Sequence, residues 1–296
     1  MRLLSILRPK ATEKRIKGWM DLTNLIPRVA ALHDLSGFGR CSLSVILPVM
    51  SRFGIQVCPV PTAVLSTHTG GFTDFTFVDL TDSMRDTLNH YQSLHIQFDS
   101  IYSGFLGSLE QIDIVKDYID SYRKNAKIIL VDPVFADDGE LYATFDLAMV
   151  NRMRELIGKA DIITPNLTEA AFLLEEPVPD LISGDKAENW ATRLTEMGPG
   201  ICVITGVRFE EGLVSSLAYD KVGQRCFLST QEEVRQAYPG TGDLFASIFL
   251  SCMLKKDDLE SALHHATGFV YRAIRMAYEQ NLTPREGLPI EAILAE

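Results

Sequence analysis

The chain has 296 residues, 46% hydrophobic and 23% charged, with a formal net charge of -11. That length suits one large α/β domain or two modest ones, and the composition is that of a globular protein. The acidic balance argues against a nucleic-acid partner, which a basic face would serve, and no run approaches the roughly 18 apolar residues of a membrane span. Cys41, Cys58, Cys202, Cys226 and Cys252 form no CxxC pair and no zinc-type spacing, a usage expected of reduced thiols in the cytoplasm.

Residues 1–27 are basic, with Arg2, Arg8, Lys10, Lys14, Arg15 and Lys17 against Glu13 and Asp21. They read as a poorly ordered leader, with a weak organelle-type presequence or a regulatory arm as alternatives, ahead of a single domain over 28–296, since no Pro/Gly/Ser linker divides the rest. Strands are expected at 29–32, 55–60, 100–102, 127–131, 161–164 and 201–205. Helices are expected between them at 43–53, 109–124, 147–159 and 189–196. Several of these strands are continuously apolar, as in a parallel sheet covered on both faces. After residue 205 the rhythm changes to a hairpin, 213–219 and 224–228, and then two helices, 244–254 and 259–278. The last carries Leu263, Ala266, Phe269, Val270, Ala273, Ile274 and Ala277 at helical spacing.

The sharpest local feature is Pro239-Gly240-Thr241-Gly242-Asp243, directly before the helical run. Two glycines permit a tight turn that aims consecutive N–H groups at one point. At a helix N-terminus those groups and the positive dipole end attract an anion. A carboxylate beside such a cradle is costly unless it takes part in the chemistry, and abstracting a hydroxyl proton is the obvious part. A glycine turn whose Asp caps the helix explains the motif equally well on its own. There is no Walker-type phosphate loop and no Ser/His/Asp triad.

Five segments in order tip that balance: Ser103-Gly104-Phe105-Leu106-Gly107-Ser108, Val131-Asp132-Pro133-Val134, Thr164-Pro165-Asn166-Leu167-Thr168-Glu169, Val203-Ile204-Thr205-Gly206 and Gly240-Thr241-Gly242-Asp243. With them the chain resembles, over roughly residues 28–280, the ribokinase-like superfamily and within it the pyridoxal/pyridoxamine kinases. The resemblance implies a three-layer α/β/α sandwich with a mostly parallel central sheet. It also implies ATP and Mg2+ as requirements, with room for a monovalent cation. Backbone amides of Gly240, Thr241 and Gly242 would form the anion hole, and Asp243 would be the base. Asp132, Asn166 and Thr205 would lie on the ATP, and Glu169 and Asp137 on the metal. The family commonly has Gly before that last acid, where this chain has Ala136. By the residues alone, Asn166 and Glu169 are the cap and third residue of a capping box after Pro165.

The acceptor pocket is expected from the segment after the first strand, His33-Asp34-Leu35-Ser36-Gly37-Phe38-Gly39-Arg40, with Asp34 and Ser36 as substrate contacts. Its Asp-Leu-Ser-Gly is closer to hydroxymethylpyrimidine kinases of thiamine synthesis. Ser66-Thr67-His68-Thr69-Gly70 instead resembles the Ser-Asn-His-Thr of pyridoxal kinases, which makes Thr69 and His68 substrate contacts. Phe105 stands where those relatives place Tyr, able to stack on a flat ring but without the phenolic hydrogen bond. As a plain alternative, His68 is a buried, hydrogen-bonded histidine. Cys41 lies in the pocket loop beside Arg40.

The expected activity is therefore ATP-dependent phosphorylation of the 5′-hydroxymethyl group of pyridoxal, pyridoxamine or pyridoxine. Two other readings are a hydroxymethylpyrimidine kinase and a non-catalytic regulator that binds nucleotide or vitamer. The expected partners are small molecules, the vitamer and ATP, with no nucleic acid and no membrane. Pyridoxal-type relatives often pair as homodimers.

Overall fold

In the computed structural model, which describes residues 26–143 and 145–295, the first strand runs well past its expected end. β1 (Arg28–Phe38) leads through α1 (Leu43–Arg52) to β2 (Gln56–Thr67), the short β3 (Phe77–Asp79) and α2 (Thr81–Ser93). β4 (Ser100–Ser103), α3 (Leu109–Tyr122) and β5 (Ile128–Val131) follow, then the small hairpin of β6 (Ala136–Asp137) and β7 (Glu140–Leu141). Next come α4 (Leu147–Ile157), β8 (Ile162–Ile163), α5 (Leu167–Leu174), α6 (Gly184–Glu196) and β9 (Ile201–Val207). The hairpin β10 (Leu213–Asp220) and β11 (Arg225–Glu232), then α7 (Thr241–Leu254), α8 (Leu259–Glu279) and α9 (Ile290–Ile293) close the chain. All but the last two residues of the expected leader lie outside the described residues.

Nine strands form one sheet in the order β11-β10-β9-β8-β5-β4-β1-β2-β3. The six strands from β9 to β2 pair in parallel, and the antiparallel members stand at the two edges. Side chains alternate between two cores. Ala30 and Leu32 of β1 join Ile101, Ile129, Val131 and Ile163 under the helices α2 to α6. Val29 and Ala31 join Tyr102, Leu130, Ile162 and Val203 under α1, α7 and α8. Period-two alternation with apolar residues on both sides is what a sheet buried on both faces requires. Each fully buried Leu, Ile or Phe in these layers is worth about 1.5–3 kcal/mol. The result is the expected three-layer sandwich.

The chain leaves β1 toward β2 on one side and returns beside it as β4 on the other. Order reverses between β1 and β4, and ligands of open α/β sheets bind outside the carboxyl ends of strands at such a switch point. Residues 33–40 were expected as a loop after the first strand. Residues 33–38 instead continue β1 alongside β2, with a register shift between His33 and Leu35. Such a bulge re-aims a side chain without ending the strand. Among the described residues, no helix is long and apolar enough to cross a membrane.

Candidate active site

Helix α7 begins at Thr241, three residues earlier than its apolar run, so the glycine motif is its first turn. Gly240 caps it with φ +83, and a Cβ there would meet the Arg40 carbonyl oxygen at 2.3 Å. Only glycine fits that position. The first intrahelical bond runs from Leu244 N–H to the Gly240 carbonyl at 3.0 Å. The amides of Thr241, Gly242 and Asp243 therefore precede the helix's own acceptors and remain for an anion.

Asp243 stands in this turn, 8% exposed. Its Oδ2 accepts the backbone N–H of Ser42 at 2.7 Å and the Cys41 thiol at 3.5 Å. Burial pushes the Asp243 carboxyl up to about 6; the Ser42 bond opposes this and the Asp34 charge adds to it. A base poised near neutrality suits removal of a proton from an alcohol. Ser42 holds φ +52, an uncommon conformation for a non-glycine residue, and it is this that turns its amide toward Asp243. Cys41 sits with its thiol driven well up by burial and by the charges of Asp243 and Asp34. It is a neutral S–H donor rather than a nucleophile.

The bulge in β1 places Asp34 beside this turn. Its carboxylate accepts the hydroxyls of Ser36, at 2.9 Å, and of Ser42. Burial raises Asp34 while both hydroxyls oppose the shift. Ser42 thus bridges two carboxylates, giving its N–H to Asp243 and its O–H to Asp34. Nothing in the local sequence marks Ser42, because only the fold brings it to Asp243.

Of the expected rim, Thr69 is exposed in the turn after β2. A Cβ on the neighbouring Gly70 would lie 3.2 Å from the Pro239 ring, so this turn abuts the anion motif. His68 differs from its expected role. Its Nε2 lies 2.9 Å from the Arg285 carbonyl and its Nδ1 3.1 Å from the Gly70 amide. With Nδ1 accepting, Nε2 carries the proton, and no ring nitrogen is left for a ligand. A buried, hydrogen-bonded histidine that ties β2 to the C-terminal segment describes it. Phe105 is half-buried, stacked on Phe145 at 5.5 Å between centroids.

On the nucleotide side, Asp132 directly follows β5 with 5% exposure, and its Oδ1 accepts the Thr164 hydroxyl at 2.9 Å. A Cβ on Gly242 would lie 3.8 Å from Asp132 Oδ2, which fixes Asp132 beside the anion turn. Burial and then the Asp243 charge raise Asp132 to about 8. Asn166 and Glu169 form the capping box of α5: Asn166 Oδ1 accepts the Glu169 amide and Glu169 Oε2 the Asn166 amide, both at 2.8 Å. Glu169 Oε1 also accepts the Phe135 amide at 3.2 Å, and Asn166 Nδ2 donates to the Ala136 carbonyl at 2.8 Å. Burial, with the Asp132 charge second, holds Glu169 well above the usual range. Thr205 lies next to this cap, its amide on the Pro165 carbonyl at 2.9 Å. Asp137 is exposed on the β6–β7 hairpin, its carboxylate taken up by the Asp138 amide at 2.9 Å.

This sheet, with an anion turn and a poised carboxylate at its switch point, belongs to the small-molecule kinases of the ribokinase-like type, phosphotransferases with an alcohol acceptor. The phosphomethylpyrimidine kinase family matches residues 47–287, and the chain is a member of that family. It is similar to a solved Bacteroides thetaiotaomicron protein described under the phosphomethylpyrimidine kinase name, crystallised in an orthorhombic form with pyridoxal. The two share 43% identity over 91% of this chain and 95% of that one, with a TM-score of 0.88. The solved pyridoxal kinase of Lactobacillus plantarum is 29% identical over 91% and 97% of the two chains, with a TM-score of 0.82. Among curated proteins, a pyridoxal kinase of Leifsonia xyli is 24% identical over 85% of this chain and 90% of its own.

Proposed function

We propose that this protein transfers the terminal phosphoryl group of ATP to the 5′-hydroxymethyl group of pyridoxal, pyridoxamine or pyridoxine. The observation that carries the reading is Asp243, a buried carboxylate raised to about 6 in the first turn of a helix whose opening amides are free. The acceptor ring lies against Asp34 and Ser36, with Thr69 and Phe105 at its rim. Asp243 takes the hydroxymethyl proton, the oxygen so freed attacks the terminal phosphorus, and the bond from that phosphorus to the bridging oxygen breaks, its electron pair leaving with ADP. The amides of Gly240, Thr241 and Gly242 receive the charge on the transferring group, a preorganised arrangement that costs no reorganisation during the step. ATP phosphates run along the strand ends at Asp132, Asn166 and Thr205.

The residues also fit magnesium. Asp132 and Glu169 are buried carboxylates, the Asp132 charge raising Glu169 and the Asp243 charge raising Asp132, and a cation would relieve that crowding of negative charge. Among the described residues, no three acidic, His or Cys side chains converge on a metal position. Magnesium commonly keeps several waters and takes only one or two carboxylates besides phosphate oxygens. Glu169, with Asp137 farther out, would hold it, and bound there it would neutralise charge on the nucleotide phosphates. The pyridoxal-bearing relative supports a B6 vitamer as the acceptor.

The hydroxymethylpyrimidine reading draws on the family's own name and on the Asp34-Leu35-Ser36-Gly37 segment. Steady-state assays of the purified chain with magnesium-ATP and each compound separate the readings. The proposal expects the highest kcat/KM with a B6 vitamer, and a higher value for hydroxymethylpyrimidine reverses the order. Binding of ATP and vitamer without any turnover would instead make the protein a regulator.

A further inference from the structure

His33 immediately precedes Asp34 on β1, and the reaction just described makes no use of it. Its side chain is fully buried, and among the described residues neither ring nitrogen has a hydrogen-bond partner. Buried polar groups without partners are rare, and each calls for an explanation. The ring lies across Gly104, where a Cβ would meet Cε1 at 2.1 Å and Nδ1 at 2.3 Å. It meets the Tyr102 ring edge-on, with centroids 4.3 Å apart. The chain gives up a side chain at residue 104 so that an imidazole can lie there.

The geometry is directional. Nδ1 stands 4.0 Å from Asp243 Oδ1, whereas the Ser42 amide and the Cys41 thiol both engage Oδ2. We propose that His33 is a positioning residue whose Nδ1–H donates to Asp243 Oδ1 once the acceptor binds, holding one lone pair of that oxygen and aiming the other at the acceptor hydroxyl. Closing the gap by about 1 Å brings the pair to hydrogen-bond length. In the step itself the acceptor O–H bond breaks, its electron pair stays with the attacking oxygen, and the proton ends on Oδ1. His33 remains neutral throughout, with Nε2 unprotonated. Burial, which drives its pKa down to about 3, keeps it from competing for the proton. The other groups facing Asp243 are Asp34 on β1, Cys41 in the loop that follows, Tyr102 on β4 and Asp132 after β5. All of these are acidic or neutral, and among the described residues the donors that already bond Asp243 are the Ser42 amide and the Cys41 thiol, both on Oδ2.

The inference rests on Asp243 being the base, and the test separates the two. The pH profiles of kcat and kcat/KM are measured for the wild type and for His33→Leu, His33→Asn and Asp243→Asn, with thermal unfolding as a check on folding. In His33→Leu, kcat is expected to fall about tenfold or more with KM for ATP within about twofold. Its acidic limb is expected to move up by about one pH unit, because a donor that favours the charged base is gone. His33→Asn, which returns an N–H near the Nδ1 position, restores most of the rate and the limb. A Leu variant with the wild-type rate and limb overturns the inference, as does equal loss in both His33 variants with the limb unmoved. Either result leaves the Asp243 reading standing if Asp243→Asn is inactive. Should the His33 variants fail to fold, nitrogen NMR of isotope-labelled histidine in the wild type decides: a non-titrating ring protonated at Nδ1 supports the inference, and protonation at Nε2 contradicts it.

Discussion

Ser42 holds Asp243 and Asp34 at once, its amide 2.7 Å from Asp243 Oδ2 and its hydroxyl on the Asp34 carboxylate. The base and the floor of the acceptor pocket are thereby fixed to one residue with positive φ, 201 positions from Asp243. Substitution by Ala leaves the amide in place and removes only the hydroxyl. Ser42→Ala is therefore expected to raise KM for the acceptor about tenfold while kcat stays within about threefold. Equal losses in both constants would show that the hydroxyl is not confined to the acceptor side.

Asp132 gives a prediction in pH. Its carboxyl rises from an ordinary 3.8 to about 8 in the folded protein, chiefly through burial and then through the Asp243 charge. The folded state thus binds the proton more tightly than the unfolded chain does. That contribution to stability is present below 3.8 and is lost as pH rises through about 8. In Asp132→Asn the amide oxygen can still accept the Thr164 hydroxyl, and nothing ionises. The melting temperature of the ligand-free variant should exceed that of the wild type by a margin smallest near pH 4 and growing until about pH 8. A constant or shrinking margin contradicts a buried, proton-retaining Asp132.

Glu169 serves two ends, and two substitutions separate them. Glu169→Gln removes the charge and keeps one acceptor of the cap, so KM for magnesium-ATP is expected to rise about tenfold and to recover partly in excess magnesium. Glu169→Ala removes the capping contact as well and should lower stability by about 1 kcal/mol or more. KM for the acceptor should stay within about twofold in both. A Gln variant indifferent to magnesium would reduce Glu169 to a helix cap.

How far these positions could be read in advance follows from where their determinants lie. Gly240, Asp243, Asn166 and Glu169 were visible because turn, cap and helix start are written within a few residues. The six parallel strands were legible, several of them as continuous apolar runs, since both faces of the sheet are covered, whereas the short β3, β6 and β7 were not expected. β1 was cut short because Asp34, Ser36 and Gly37 read as loop residues, whereas pairing with β2 carries the strand through them. Helix α2 was missed because only Thr81, Met84 and Leu88 of its thirteen residues are buried, too thin a stripe to show a period. Ser42 and His33 carry no local signal at all; their meaning is set by Asp243 and Gly104, which tertiary structure alone supplies. His68 looked like a ligand contact in its motif, and its hydrogen-bond partners turn out to be main chain.

The most direct test of the account follows the phosphoryl group itself. Purified protein is incubated with magnesium-ATP and pyridoxal and watched by phosphorus NMR, beside the Asp243→Asn variant with ADP affinity measured in parallel. The wild type should build a phosphate monoester signal split by the neighbouring methylene as ATP is consumed. The variant should bind ADP normally and form the ester at least about 10²-fold more slowly. Ester formation at the wild-type rate in the variant, or none in the wild type, contradicts the account.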